Sequence, residues 1–245
     1  MRSELFAADN LEKESAQPGM RLQNSKMLKV ELNGSIFARR GAMVGYQGHV
    51  QFEGIGAGGV GKWLKSKLTG EGVPIMKMTG QGDVFLANEA QEIHLIDLEP
   101  GDALTINGAN VLAFESTLQY EIRMVQGVGF LSSAGLFNCV FSGAGRIAIT
   151  THGTPVVVNV DQPTYADPQA AVCWSASLQT GFHRAEQLGL GMLIGRTSGE
   201  MFTMSFAGQG FVVIQPSEMP PGGISGQGSG SQAGGGGVLG GLLGS

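Results

Sequence analysis

The residues with the most chemical potential are four histidines, two cysteines and a few carboxylates, and their spacing argues against chemistry. A protein metal site needs imidazole, thiolate or carboxylate groups converging, and the common signatures place histidines two or four residues apart. His49, His94, His152 and His183 show neither spacing, and none stands beside a cysteine. They read as structural side chains. Cys139 and Cys173 sit in apolar, strand-like runs and read as buried free thiols acting as small hydrophobes. Asp97, Glu99 and Asp102 surround one turn and read as solvated turn residues, not as an acid–base pair. Ser132-Ser133 has neither a nucleophile elbow nor a Ser-x-x-Lys context. The expectation is no catalytic residue, no metal and no cofactor.

Three Gly-x-Gly pairs raise the question of a phosphate loop. They are Gly80/Gly82, Gly143/Gly145 and Gly208/Gly210. A dinucleotide fingerprint requires a helix after the glycines, so that its N-terminus meets the phosphate. Here a strand-like run follows each pair: Val84-Phe85-Leu86, Ile147-Ala148-Ile149 and Val212-Val213-Ile214. The six glycines are therefore expected at turns or bulges beside strands, where a positive φ is needed.

These pairs expose an internal repeat. Their first glycines lie 63 and 65 residues apart. A second pattern interleaves with them: an aromatic, an aliphatic four residues later, then Gln. It falls at Tyr46/Val50/Gln51, Phe114/Leu118/Gln119 and Trp174/Leu178/Gln179. Two independent motifs alternating three times in one order define three units of about 60 residues. Because the series starts on one motif and ends on the other, the two ends of the chain could complete each other and hide a sheet edge.

The elements between the motifs are strands. Glu92–Leu98 nearly alternates, Glu99-Pro100-Gly101-Asp102 suits a type II turn, and Ala103–Ile106 runs into Asn107-Gly108, a hairpin signal. Thr154–Asp161 repeats the strand pattern. Short strands with frequent turns predict an all-β protein of three repeated sandwich or barrel units. Helix is confined to a possible two turns over Gly61–Leu68. From Pro220 the chain is Gly/Ser-rich and reads as a flexible tail. The expected division is a lead-in over 1–19, the repeat domain over 20–217 and a tail over 218–245.

Composition bounds the partners. Glycine, at 41 of 245 residues, is more than twice the usual share of about 7%. With 15 basic against 20 acidic residues and a net charge of −5, the chain lacks the cationic surplus that drives nucleic-acid binding. No run of apolar residues is long enough to span a membrane as a helix. Met1–Phe6 leads straight to Asp9, Glu12 and Glu14 with no apolar signal stretch, so a cytoplasmic location is expected. Trp63 with Lys62 and Lys65 is a basic-aromatic cluster that could touch a protein partner or an anionic membrane surface. Arg39-Arg40 is a smaller basic spot, and Leu239 and Leu242 could dock the tail. Only 35 of 245 residues are charged, well under the usual quarter, so apolar surface is expected to need covering by a homo-oligomer or protein partner.

Several motifs together resemble a mitochondrial-biogenesis family called "altered inheritance of mitochondria", member twenty-four. They are Gly41-Ala42-Met43-Val44 with Tyr46, Leu68-Thr69-Gly70-Glu71, Met78–Gly82, and Leu98–Asp102 leading to Leu112-Ala113-Phe114. The resemblance covers roughly residues 20 to 216. It implies a fold similar to the tryptophan RNA-binding attenuation protein, a short relative of the double-stranded β-helix that is often oligomeric. It supplies no catalytic residues. The expected function is a non-enzymatic, oligomerising β scaffold that binds protein or membrane partners. The alternative is a small-ligand-binding or metal-dependent barrel of the cupin kind, although the His-x-His of cupins is absent.

Overall fold

The structure, a computed structural model, describes residues 2–13, 18–55, 73–124, 137–184 and 202–217. Among these the only helical elements are single 3-10 turns over Glu4–Phe6 and Ala8–Asn10 in the lead-in; everything else regular is strand. The hairpin β1 (Gly19–Asn24) pairs antiparallel with the start of β2 (Met27–Arg39).

The first unit is three long antiparallel strands: β2, β3 (Met43–Ile55) and β4 (Ile75–Leu86), with β4 in the middle. The second unit makes the same three passes, but each is broken into two strands. They are β5 (Glu92–Leu98) with β6 (Ala103–Asn107), β7 (Val111–Glu115) with β8 (Gln119–Met124), and β9 (Phe137–Ser142) with β10 (Gly145–Thr151). The third unit repeats this with β11 (Val156–Val160) and β12 (Thr164–Ala166), β13 (Ala171–Ser175) and β14 (Gln179–Arg184), and β15 (Phe202–Ala207) and β16 (Gly210–Ile214). At each break the chain passes from one sheet to another. A twisted strand can serve two stacked sheets only by bending at such a corner.

The register demonstrates the repeat. Tyr46 faces Val84, Phe114 faces Ile147 and Trp174 faces Val212, each two residues beyond the second glycine of its pair. Each unit also carries the same one-residue bulge just before its aromatic, leaving Val44, Leu112 and Val172 without a pairing partner.

Neighbouring units share sheets. β7 of the second unit lies along β2 of the first, with Phe37 opposite Phe114. β13 of the third lies along β6 of the second, with Thr105 opposite Trp174. One sheet therefore runs β3-β4-β2-β7-β10-β5, the next runs β11-β16-β13-β6-β9-β8, and a three-stranded sheet β12-β15-β14 remains. Three apolar clusters fill the interior, the middle one built on Phe114, Phe141, Ile106 and Ile147, all fully buried.

Two sequence expectations change. Asn107-Gly108 is not a hairpin turn, because β6 and β7 belong to different sheets. Gly108 is required for space, not for positive φ: a Cβ there would lie 2.7 Å from the Phe137 carbonyl oxygen. The two ends of the series also do not complete each other, since β3 pairs only with β4 and β12 only with β15 among the described strands. The turn at Glu99–Asp102 has the expected form, with Gly101 at φ 102° and the Asp102 amide donating to the Glu99 carbonyl at 3.0 Å.

Candidate interaction surface

The six repeat glycines take two forms. Gly80 (φ 125°) and Gly82 (φ 148°) lie inside β4, where the ladders to β2 and β3 run unbroken past both. There the backbone of β3 approaches so closely that a Cβ on Gly80 would collide with the His49 carbonyl oxygen, and one on Gly82 with that of Gln47. Gly143 and Gly145 form the corner between β9 and β10, and Gly208 and Gly210 the corner between β15 and β16. Gly210 has no positive φ; its missing Cβ makes room for Ser175, whose Oγ accepts from the Phe211 amide at 3.1 Å. Trp63, Lys62, Lys65, Leu239 and Leu242 lie outside the described residues.

Among the described residues, His94 and His152 are held by structural partners. His94 Nε2 sits 2.8 Å from Thr151 Oγ1, and burial, partly opposed by the charge of Glu92, lowers its pKa. His152 Nε2 lies 2.6 Å from the Gln91 amide. Cys139 and Cys173 are buried free thiols flanking Ile106 across two ladders, and burial pushes both up to about 12. Among the described residues no three His, Cys, Asp or Glu side chains stand close enough together to hold a metal. Asp97 is bidentate to Arg146, at 2.6 and 2.9 Å.

Two arrangements were not visible in the sequence. Arg39, which reads as part of a surface basic spot, turns inward and donates to the carbonyl oxygens of Val111, Gly108 and Ala109 at 3.0, 2.6 and 2.6 Å. Burial lowers its pKa. It clamps the turn between β6 and β7 onto β2. Lys29 is 3% exposed and sits among Glu12, Glu31 and Asp83 at 2.6, 3.4 and 3.5 Å, with Arg21 also paired to Glu31. Burial alone would lower its pKa; the hydrogen bond and charge of Glu12, with Asp83 and Glu31, raise it instead.

The surface feature that sets this molecule apart is β3. Phe114 is 0% exposed and Trp174 3%, whereas the equivalent Tyr46 is 51% exposed. Val44, Phe52 and Ile55 on the same strand are also open, and the rings of Tyr46 and Phe52 meet edge to face at 5.2 Å. The cause is topological. β7 and β13 each have the preceding unit alongside, while among the described strands β3 has only β4 of its own unit beside it. A sheet edge carrying apolar side chains is a ready template for another strand. Three units in an open row make only two junctions, so one junction aromatic is necessarily left over; the repeat count held that signal.

A β protein of three repeated units joined through shared sheets, with an apolar strand at the edge of its described sheet, is the class this architecture defines. The chain belongs to the family described as mitochondrial biogenesis AIM24, which it matches over residues 20–217. It is 28% identical over 204 residues to an uncharacterised protein of Streptococcus pyogenes serotype M6, covering 77% of this chain and 79% of that one. A crystal structure of a Streptococcus pyogenes protein superposes with a TM-score of 0.63 at 22% identity, covering 82% of this chain and 94% of the other. That likeness concerns the fold.

Proposed function

We propose that this chain is a non-enzymatic β scaffold that works by assembling with protein partners, in the cytoplasm, through the open edge of its first unit. The carrying observation is the contrast at equivalent positions, Tyr46 at 51% exposure against Phe114 at 0% and Trp174 at 3%. A side chain that is core in two units and surface in the third marks a place where cover is supplied from outside. The filled interior supports the same reading. The rings of Phe37, Phe114, Tyr120 and Phe141 pack against one another with centroid separations of 4.9–6.3 Å, so the middle of the β body is side chain. No helix among the described residues is long and apolar enough to cross a membrane.

The test is hydrodynamic. The full chain should run well above its 25.5 kDa mass in native-host extract, and a Val44→Glu/Tyr46→Glu variant should fall back to it. Wild-type chain running as a single 25.5 kDa species, both purified and in extract, would overturn the proposal.

A further inference from the structure

We infer that the partner at this edge is a second copy of the chain, which adds its β12 antiparallel to β3. The inference rests on the reading of β3 as an interaction surface. The chain already makes this junction twice. Ile36, Phe37 and Ala38 face Glu115, Phe114 and Ala113 where the first unit meets the second. Leu104, Thr105 and Ile106 face Ser175, Trp174 and Cys173 where the second meets the third. In both, the end of a unit's first pass lies along the start of the next unit's second pass, antiparallel and in one register.

Among the described strands, each half of that junction occurs once without the other strand of the pair. The end of the first pass in the third unit is β12, an edge strand of its sheet with only β15 beside it among the described strands. The start of the second pass in the first unit is β3, likewise an edge. The register follows without adjustment. Phe37, Thr105 and Tyr165 are equivalent, because they face Lys77, Val140 and Ser205, each three residues before the first glycine of its pair. Tyr165 of one copy therefore falls opposite Tyr46 of the next, with Thr164 opposite Gln47 and Ala166 opposite Gly45. Tyr165 and Tyr46 are 56% and 51% exposed, and the junction would place them as Phe37 and Phe114 are placed, rings stacked at 5.1 Å. The interface is heterologous, end to start, so assembly proceeds to a closed ring or a continuous row and not to a two-fold dimer.

Disulfide trapping tests the register. Gln47→Cys and Thr164→Cys chains are purified separately, mixed and mildly oxidised; the native thiols are buried and stay out of the reaction. A covalent dimer should form in the mixture and in neither chain alone. An off-register mixture of Gln47→Cys with Tyr165→Cys, whose thiols point to opposite faces, should give no covalent dimer. Separately, Tyr46→Glu and Tyr165→Glu should each lose the assembled species in light scattering, while Val156→Glu on β11 should keep it. Dimer formation by either cysteine variant alone, or an oxidised double variant that stays a closed single chain, would overturn the inference. So would a wild-type chain that is monomeric when pure yet assembled in host extract. That last result would leave the scaffold proposal standing with a different protein at the edge.

Discussion

Phe37 of the first unit and Phe114 of the second stack with ring centroids 5.1 Å apart and planes inclined by 27°. They are direct partners across the β2–β7 ladder, so one contact joins two repeats in both backbone and side chain. Phe114 also meets Tyr120 and Phe141, each at 4.9 Å. Phe114→Ala would remove a fully buried ring from the middle cluster and leave a cavity. It is expected to cost about 3–5 kcal/mol, read as a lower denaturant midpoint in equilibrium unfolding. A loss below about 1 kcal/mol would mean that the units are not held together at this ring.

Gly80 and Gly143 hold equivalent places but should respond differently to alanine. At Gly80 a Cβ meets the His49 carbonyl on the neighbouring strand; at Gly143 the nearest atom is the Thr117 carbonyl oxygen at 3.8 Å. Gly143→Ala should therefore cost only the backbone strain of a positive φ, about 1–3 kcal/mol. Gly80→Ala adds a backbone collision inside β4 and should cost clearly more. Equal melting temperatures for the two variants would contradict this difference.

Arg39→Lys should destabilise by about 1–3 kcal/mol although the charge is kept. A planar guanidinium reaches the Val111, Gly108 and Ala109 carbonyls together, and a single ammonium cannot reproduce that fork. Hydrogen exchange should localise the loosening to the turn between β6 and β7. Unchanged exchange there would show that the clamp is dispensable.

The thiols set a pH limit. Cys139 and Cys173 are held protonated by burial, with folded values of about 12 against an ordinary 9. Above pH 9 the unfolded chain releases protons that the folded chain retains, so their contribution is fully present below pH 9 and is lost as pH rises toward 12. At pH 8 the folded protein should not react with a thiol reagent, and unfolding should release both groups. Rapid stoichiometric labelling of the folded chain would show that these sites open readily.

The sequence by itself determined the repeat, because both signals are local. A glycine pair before an apolar run and an aromatic four residues before an aliphatic are needed wherever the same bend and the same bulge recur. It also determined the strand content and the buried, apolar setting of the two thiols. What it did not determine was pairing between distant strands. The type II turn at Glu99–Asp102 and the hairpin signal at Asn107-Gly108 are legible because their residues satisfy turn geometry whichever sheet follows. Only the ladders show that β5 and β6, and β6 and β7, part into different sheets. Arg39 looks like surface charge because nothing local reveals three carbonyls arriving from some 70 residues away. Tyr46, Phe114 and Trp174 are alike in sequence, and the tertiary structure alone makes them unlike. Burial depends on whether another strand lies alongside, and in an open row of three units the first has no predecessor.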